Sequence, residues 1–416
     1  MATNTDWFPD SKYGLFIHFG LYSLLAGEYQ GKVTRSIAEW ILLNENIPAT
    51  EYEALTEQFD PVHFDADAIA RKAKDWGMKY ITFTTKHHDG YALYDSAADS
   101  YNSVARSARP RDFVAELAEA CERHGLVFCL YYSQAQDWHH PDGYRAYQDN
   151  SKINFRRYLD DKCLPQIEEL LTNYGPIGMM WFDTPMGMSV SESEEVRDLV
   201  KRLQPNCLVN GRIGHRLGDY MTTQDNRIPA FPVAGMWEVP ATLNTSWGYK
   251  RSDTNWREPE GVAKQLLRIV SRGGNYLLNI GPRGDGSVPE DSVKILDEVG
   301  VWLSKVSDSI YESTAIQPYV YEAPELSFTH KPHKLYIHVL DPQKYKGREI
   351  PLPNMKNTVV NARWLNAAGD RSLRVAETLE GDPYWGLYVP KDIEEDLVLT
   401  LEVETAEEGF LQEELG

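Results

Sequence analysis

Short apolar runs alternate with amphipathic helical periods through the first three quarters of the chain, and this alternation constrains the fold most tightly. Gly14-Leu-Phe-Ile-His-Phe-Gly20, Tyr80-Ile-Thr-Phe-Thr84, Leu126-Val-Phe-Cys-Leu-Tyr131, Gly175 to Asp183, Cys207-Leu-Val-Asn210 and Asn275-Tyr-Leu-Leu-Asn-Ile280 read as short buried strands. Between them lie helical patterns. Ala66, Ile69, Ala70, Ala73 and Trp76 share one face, and Asp112 to His124 is stopped by Gly125. Further helices are expected over Asn154 to Asn173, around Val196, Leu199 and Leu203, over Pro259 to Arg272, and over Pro289 to Ser304. Repeated strand–helix units imply parallel strands with right-handed crossovers. At 416 residues the chain suits a barrel of roughly 250–300 residues plus a smaller module. No GxGxxG pattern follows the first strand, which disfavours a dinucleotide-binding sheet. After about Gln317 the period changes to two, as in Lys334-Leu-Tyr-Ile-His-Val-Leu340 and Leu397-Val-Leu-Thr-Leu-Glu-Val403. The expected fold class is therefore α/β: a (β/α) TIM-like barrel over residues 1–316, then a small antiparallel β-sandwich over 317–416. The Glu-rich end from Glu404 to Gly416 reads as frayed and solvated.

With 62 acidic against 42 basic residues, the net charge of −20 argues against nucleic acid and anionic membranes as partners. The four cysteines have no CxxC spacing and read as free buried thiols. Met1 to Asp10 shows neither a basic nor an apolar leader region, and no apolar run is long enough to span a bilayer. A soluble, cytoplasmic protein is the simplest expectation. Its oligomeric state, a homo-oligomer included, is left open. Gly281-Pro-Arg-Gly-Asp-Gly286 lacks the GK[ST] ending of a phosphate loop and reads as a turn, so no cofactor is expected.

The chemistry gathers at strand ends. Asp183 closes an apolar run, and an acid losing hydration there needs partners or a task. His18, Lys86-His87-His88-Asp89-Gly90-Tyr91, Tyr131-Tyr132-Ser133 and Asn210-Gly211-Arg212 end other strands. Together they describe one polar pocket at a barrel mouth. Adjacent strand residues point to opposite faces, so His87 and His88 make poor ligands for one metal ion; donors and acceptors for a polyol are the better reading. Cleaving a glycoside takes two carboxylates. Beside Asp183, the later acids Asp219, Asp225 and Glu238 each qualify, and the residues alone do not separate them.

The ordered motifs Trp7-Phe-Pro-Asp-Ser-Lys-Tyr-Gly-Leu-Phe-Ile-His-Phe-Gly20, Ala38-Glu39-Trp40, Lys86-His-His-Asp-Gly-Tyr91, Trp181-Phe-Asp183, Asn210-Gly-Arg212, Ser246-Trp-Gly-Tyr249 and Gly273-Gly-Asn-Tyr-Leu-Leu-Asn-Ile-Gly-Pro282 resemble the α-L-fucosidases of glycoside hydrolase family 29. The resemblance runs to about Tyr311. It implies a retaining exo-α-L-fucosidase acting on fucosylated oligosaccharides or glycans, with Asp183 as nucleophile. It also implies that His18, Glu39, Trp40, His87, His88, Tyr132 (chosen over Tyr131), Trp181 and Arg212 hold the sugar. Trp237 is added to the substrate-binding set. Many members carry Glu where this chain has Gln224; a subgroup, with some members preferring α-1,6-linked fucose, resembles this chain in placing Asp next. Asp225 is therefore preferred as acid/base, with Glu238 as the alternative. A fucose-binding protein that has lost turnover is the competing reading.

Overall fold

The computed structural model describes residues 5–230, 233–316, 324–352, 355–367, 373–377, 383–393 and 396–409. Among these, eight parallel strands form one sheet: β1 (Tyr13–Ile17), β2 (Tyr80–Lys86), β3 (Val127–Tyr132), β4 (Met179–Phe182), β5 (Leu208–Val209), β6 (Met221–Thr222), β7 (Trp237–Thr242) and β8 (Asn275–Ile280). Their order is β5-β4-β3-β2-β1-β8-β7-β6. A parallel bridge between Asn210 and Tyr220 joins the two edges and closes the barrel. Asp219 reinforces that seam: its carboxylate accepts the Val209 N–H at 2.7 Å and pairs with Lys201 at 2.6 Å. This acid is therefore occupied with barrel closure.

Helices α1 (Ala66–Asp75), α2 (Phe113–His124), α3 (Leu164–Asn173), α4 (Val190–Leu203), α5 (Pro259–Val270) and α6 (Glu290–Val306) cover the strands. Local signals set their ends. Asp65 and Asp112 accept the N–H groups of Ala68 and Ala115, each at 2.9 Å, and Ser189 forms a capping box with Glu192. The helix expected over Asn154 to Asn173 is divided. A π-turn at Leu159–Cys163 precedes α3 and carries Lys162 inward, where it pairs with Asp99 at 2.6 Å and Asp137 at 2.8 Å. Strands β6 and β7 were not evident from the sequence. The first has two residues, and the second contains Glu238 and Pro240, both uncommon inside a central strand.

The C-terminal part consists of antiparallel strands β9 (Thr314–Ala315), β10 (Leu326–Lys331), β11 (Lys334–Val339), β12 (Arg348–Leu352), β13 (Val359–Trp364), β14 (Leu373–Glu377), β15 (Pro383–Val389) and β16 (Leu399–Thr405). They make a five-stranded sheet, β9-β10-β11-β16-β13, and a three-stranded sheet, β12-β15-β14. Alternate residues Leu335, Ile337 and Val339 meet Leu399, Leu401, Val403, Ile350 and Val389 in a shared core. Thr314–Ala315 pairs with β10, so this sheet begins just before residue 316. Of the end expected to fray, Glu404 and Thr405 belong to β16, and residues 410–416 lie outside the described part. The Trp302 indole donates to the Val398 carbonyl at 2.9 Å and Thr329 Oγ1 to the Ser309 carbonyl at 2.7 Å, docking sandwich on barrel.

Candidate active site

The C-terminal ends of the barrel strands surround a cavity of about 140 Å³, lined by Phe16, His18, Ile37, Glu39, Trp40, His87, Tyr131, Trp181, Asp183, Thr184, Arg212, Asp225 and Trp247. It is small beside the roughly 300–1,000 Å³ of pockets for drug-sized ligands and suits a single polar ring. A larger groove of about 550 Å³ beside Trp7, Cys121 and Tyr174 gathers no comparable set of polar groups.

Asp183 follows β4 directly and is held from several sides. Its backbone N–H donates to Gln134 Oε1 at 2.8 Å, and the Asn210 side chain brackets Phe182, accepting its N–H at 2.8 Å and donating to its carbonyl at 2.9 Å. Arg212, in a 3-10 turn after β5, places Nη1 3.0 Å from Asp183 Oδ1, and the Tyr131 hydroxyl donates to Oδ2 at 3.2 Å. His88 Nε2 stands 3.5 Å from the same oxygen. Burial pushes the Asp183 pKa up, but Arg212 and His88 outweigh it and hold the carboxyl below its ordinary value. The other terminal nitrogen of Arg212 binds Asp225 and the Thr223 carbonyl, so one guanidinium spans both carboxylates. That guanidinium also lies over Trp181, 4.8 Å from the ring centroid. Asp183 is 13% exposed and Asp225 is 42% exposed, which puts the first deep in the cavity and the second at its mouth.

Two imidazoles stand beside Asp183 or in the cavity wall. His18 Nδ1 meets Asn279 Oδ1 at 2.7 Å, and the Asn279 amide donates to the Trp247 carbonyl, so His18 donates from Nδ1 and leaves Nε2 bare. His88 Nδ1 meets Ser133 Oγ at 2.6 Å, that hydroxyl donates to the Gln136 carbonyl, and His88 Nε2 faces the Asp183 carboxylate. Burial lowers their pKa values, to about 3 for His18 and about 4 for His88, so both rings stay neutral near pH 7. Glu39 comes from a 3-10 turn at Ala38–Trp40. Its Oε2 accepts the Gly248 N–H at 2.9 Å and the Ser246 hydroxyl at 3.3 Å, and burial raises its pKa to about 7.

The structure brings together His18, Glu39, Trp40, His87, Trp181, Asp183, Arg212 and Asp225, with His88 touching Asp183. The expectation that His87 and His88 face apart does not apply. Pairing shifts register between Thr84 and Lys86, both histidines lie past the strand, and their ring centroids are 4.2 Å apart. A buried set of charges fixes this turn: Lys86 Nζ lies 3.3 Å from Asp137, which accepts the His140 N–H at 2.8 Å, while the Trp138 N–H donates to the His88 carbonyl at 2.7 Å.

Two expected sugar-binding residues are corrected. Strand alternation turns Tyr131 inward and Tyr132 outward, where its hydroxyl donates to Gln166 Oε1 at 2.8 Å beneath α3. Trp237 packs in the core between sheet and helices, its ring against Gly274, where a Cβ would meet it at 2.6 Å. Trp247 supplies the aromatic wall instead, 5.0 Å from His18 between ring centroids. Its motif was visible in the sequence, but its orientation was not. Gln224 is exposed and absent from the cavity lining.

Glu238 is fully enclosed inside the barrel, below the cavity. The hydroxyl of Tyr80 donates to it at 2.7 Å and the indole of Trp181 at 2.9 Å, so it holds the aromatic floor. Burial raises its pKa from 4.5 to about 7. A raised carboxyl pKa means that the folded state binds the proton more tightly. The associated stability is complete below about pH 4.5 and is lost as pH rises through about 7. Replacing Glu238 by Gln removes that dependence. The stability of wild type relative to Glu238→Gln should therefore fall between pH 5 and pH 8 by on the order of 2–3 kcal/mol, measured by denaturant unfolding. A pH-independent difference would contradict this account of Glu238.

A family model described as Alpha-L-fucosidase matches residues 2–308. Plasma alpha-L-fucosidase of Rattus norvegicus is 31% identical over 362 residues, covering 80% of this chain and 76% of the relative. The crystal structure of alpha-L-fucosidase from Vibrio sp. strain EJY3 superposes with a TM-score of 0.91 at 32% identity, over 97% of this chain and 73% of that one. AlfC from Lactobacillus casei, in complex with its alpha-L-fucose product, is 41% identical with a TM-score of 0.70, covering 74% of this chain and 100% of that one. An AlfC variant has been solved with Fuca(1,6)GlcNAc.

Proposed function

This chain belongs to the alpha-L-fucosidase family of glycoside hydrolases, and on that premise we propose that it is a retaining exo-α-L-fucosidase with a preference for α-1,6-linked fucose. The observation that carries the mechanism is Arg212, whose two terminal nitrogens hold Asp183 and Asp225. Retention needs two carboxyl groups about 5–5.5 Å apart, a spacing that one bridging guanidinium suits. Asp183 is ionised, deep and aimed into the cavity. It attacks the anomeric carbon as the bond to the leaving oxygen breaks, and a covalent fucosyl-enzyme forms. Asp225, at the open mouth where the remainder of the glycan leaves, protonates that oxygen. It then takes a proton from the water that hydrolyses the intermediate. His18 accepts a hydrogen bond from a sugar hydroxyl through its bare Nε2, His88 stands behind Asp183, and Trp181 and Trp247 pack on the apolar edge of the sugar.

The small cavity supports removal of one terminal residue at a time. The α-1,6 preference is supported by the Gln224-Asp225 pattern and by the ligand of the AlfC variant. The binding-only alternative gains no support from a pocket that keeps both carboxylates on one guanidinium. Proton NMR of an aryl α-L-fucoside during turnover tests the reading. α-L-Fucose should appear first and mutarotate afterwards; first release of the β-anomer would overturn retention.

A further inference from the structure

We propose that Tyr147, together with Trp40, forms the platform on which the second sugar, the one that departs as the leaving group, rests its apolar C–H face; this rests on the fucosidase reading above. Tyr147 is 91% exposed and is the sole aromatic residue that open among the described residues. It stands at the pocket wall: its ring centroid is 6.3 Å from that of Trp40, which lines the cavity and in turn packs at 5.3 Å on Trp138. The aromatic surface therefore runs out of the fucose cavity onto the lip, where a leaving sugar would lie.

The position is built. Tyr147 has φ +60°, in the left-handed region that a bulky side chain seldom adopts. Two side chains hold its turn there. Asn150 accepts the Arg145 N–H at 3.0 Å and donates to the carbonyls of Arg145 and Gln148, at 3.0 and 3.1 Å. Gln136, 1% exposed, ties the same turn to the site: its Oε1 accepts from the Ala146 N–H at 3.2 Å and the Trp138 indole at 3.1 Å, while Nε2 donates to Thr184 Oγ1 at 2.8 Å. Thr184 is the residue after Asp183 and lines the cavity. An exposed ring carried on a hydrogen-bonded turn beside the fucose site offers a flat apolar face with few rotatable bonds to fix.

The test compares substrates with and without a leaving-group ring. Tyr147→Ala should lower kcat/KM on Fuca(1,6)GlcNAc about tenfold and change kcat/KM on α-L-fucosyl fluoride by less than about twofold, whereas Tyr147→Phe keeps both. Equal losses on the two substrates, or no loss on the disaccharide, would overturn the platform. A wild type that cleaves the fluoride but not the disaccharide also counts against it. A wild type that cleaves neither contradicts the fucosidase reading instead.

Discussion

Asp183→Ala is expected to lower kcat on an aryl α-L-fucoside by about 10⁵-fold or more, the scale seen when a covalent nucleophile is removed. Loss of one hydrogen bond to the sugar would cost far less. Arg212 Nη1 at 3.0 Å and the Tyr131 hydroxyl at 3.2 Å favour the ionised carboxyl of Asp183, and Gln134 fixes its backbone. None of them supplies another nucleophile. The fold should survive, since Arg212 keeps Asp225 as its partner. Azide should restore turnover in this variant by attacking from the vacated face, giving the inverted β-L-fucosyl azide. Residual activity within about tenfold of wild type, measured on pure protein, would remove Asp183 from the nucleophile's role.

The second large effect is at Asp225. Asp225→Gly should lose roughly 10²–10⁴-fold in kcat/KM on a disaccharide, where the leaving oxygen needs a proton, the range typical of general acid catalysis. On a dinitrophenyl fucoside, whose leaving group departs as a stable anion, the loss should be much smaller. Steady-state kinetics across leaving groups checks this through the slope of log kcat/KM against leaving-group pKa. The slope should be shallow in wild type and steep in the variant. An equal loss on every substrate would describe a residue that shapes the pocket without moving a proton.

Much of this site could be read in the chain because barrel chemistry sits where apolar strands end. Asp183, His18, His87 and Arg212 each follow such a run, and each lines the cavity. Parity was harder. Tyr131 and Tyr132 are adjacent and chemically alike, and only the strand's inward register separates them, since Tyr131 and Cys129 share the inner core with Trp181. The same limit acted in reverse at His87 and His88, where strand alternation was extended past the point at which β2 leaves the sheet. Strand β7 was hidden because Glu238 and Pro240 break its apolar pattern, and with β7 unplaced Trp237 could not be assigned to the outer face or Glu238 to the interior. The bridging of Asp183 and Asp225 by Arg212 is a tertiary fact that spacing does not encode.

Azide rescue of Asp225→Gly and Glu238→Gly side by side tests the central assignment most directly. The account predicts acceleration of Asp225→Gly alone, with α-L-fucosyl azide as product, because azide then attacks the covalent intermediate from the face the leaving group used. Rescue of Glu238→Gly in place of Asp225→Gly, or a β-L-fucosyl azide from Asp225→Gly, would contradict it.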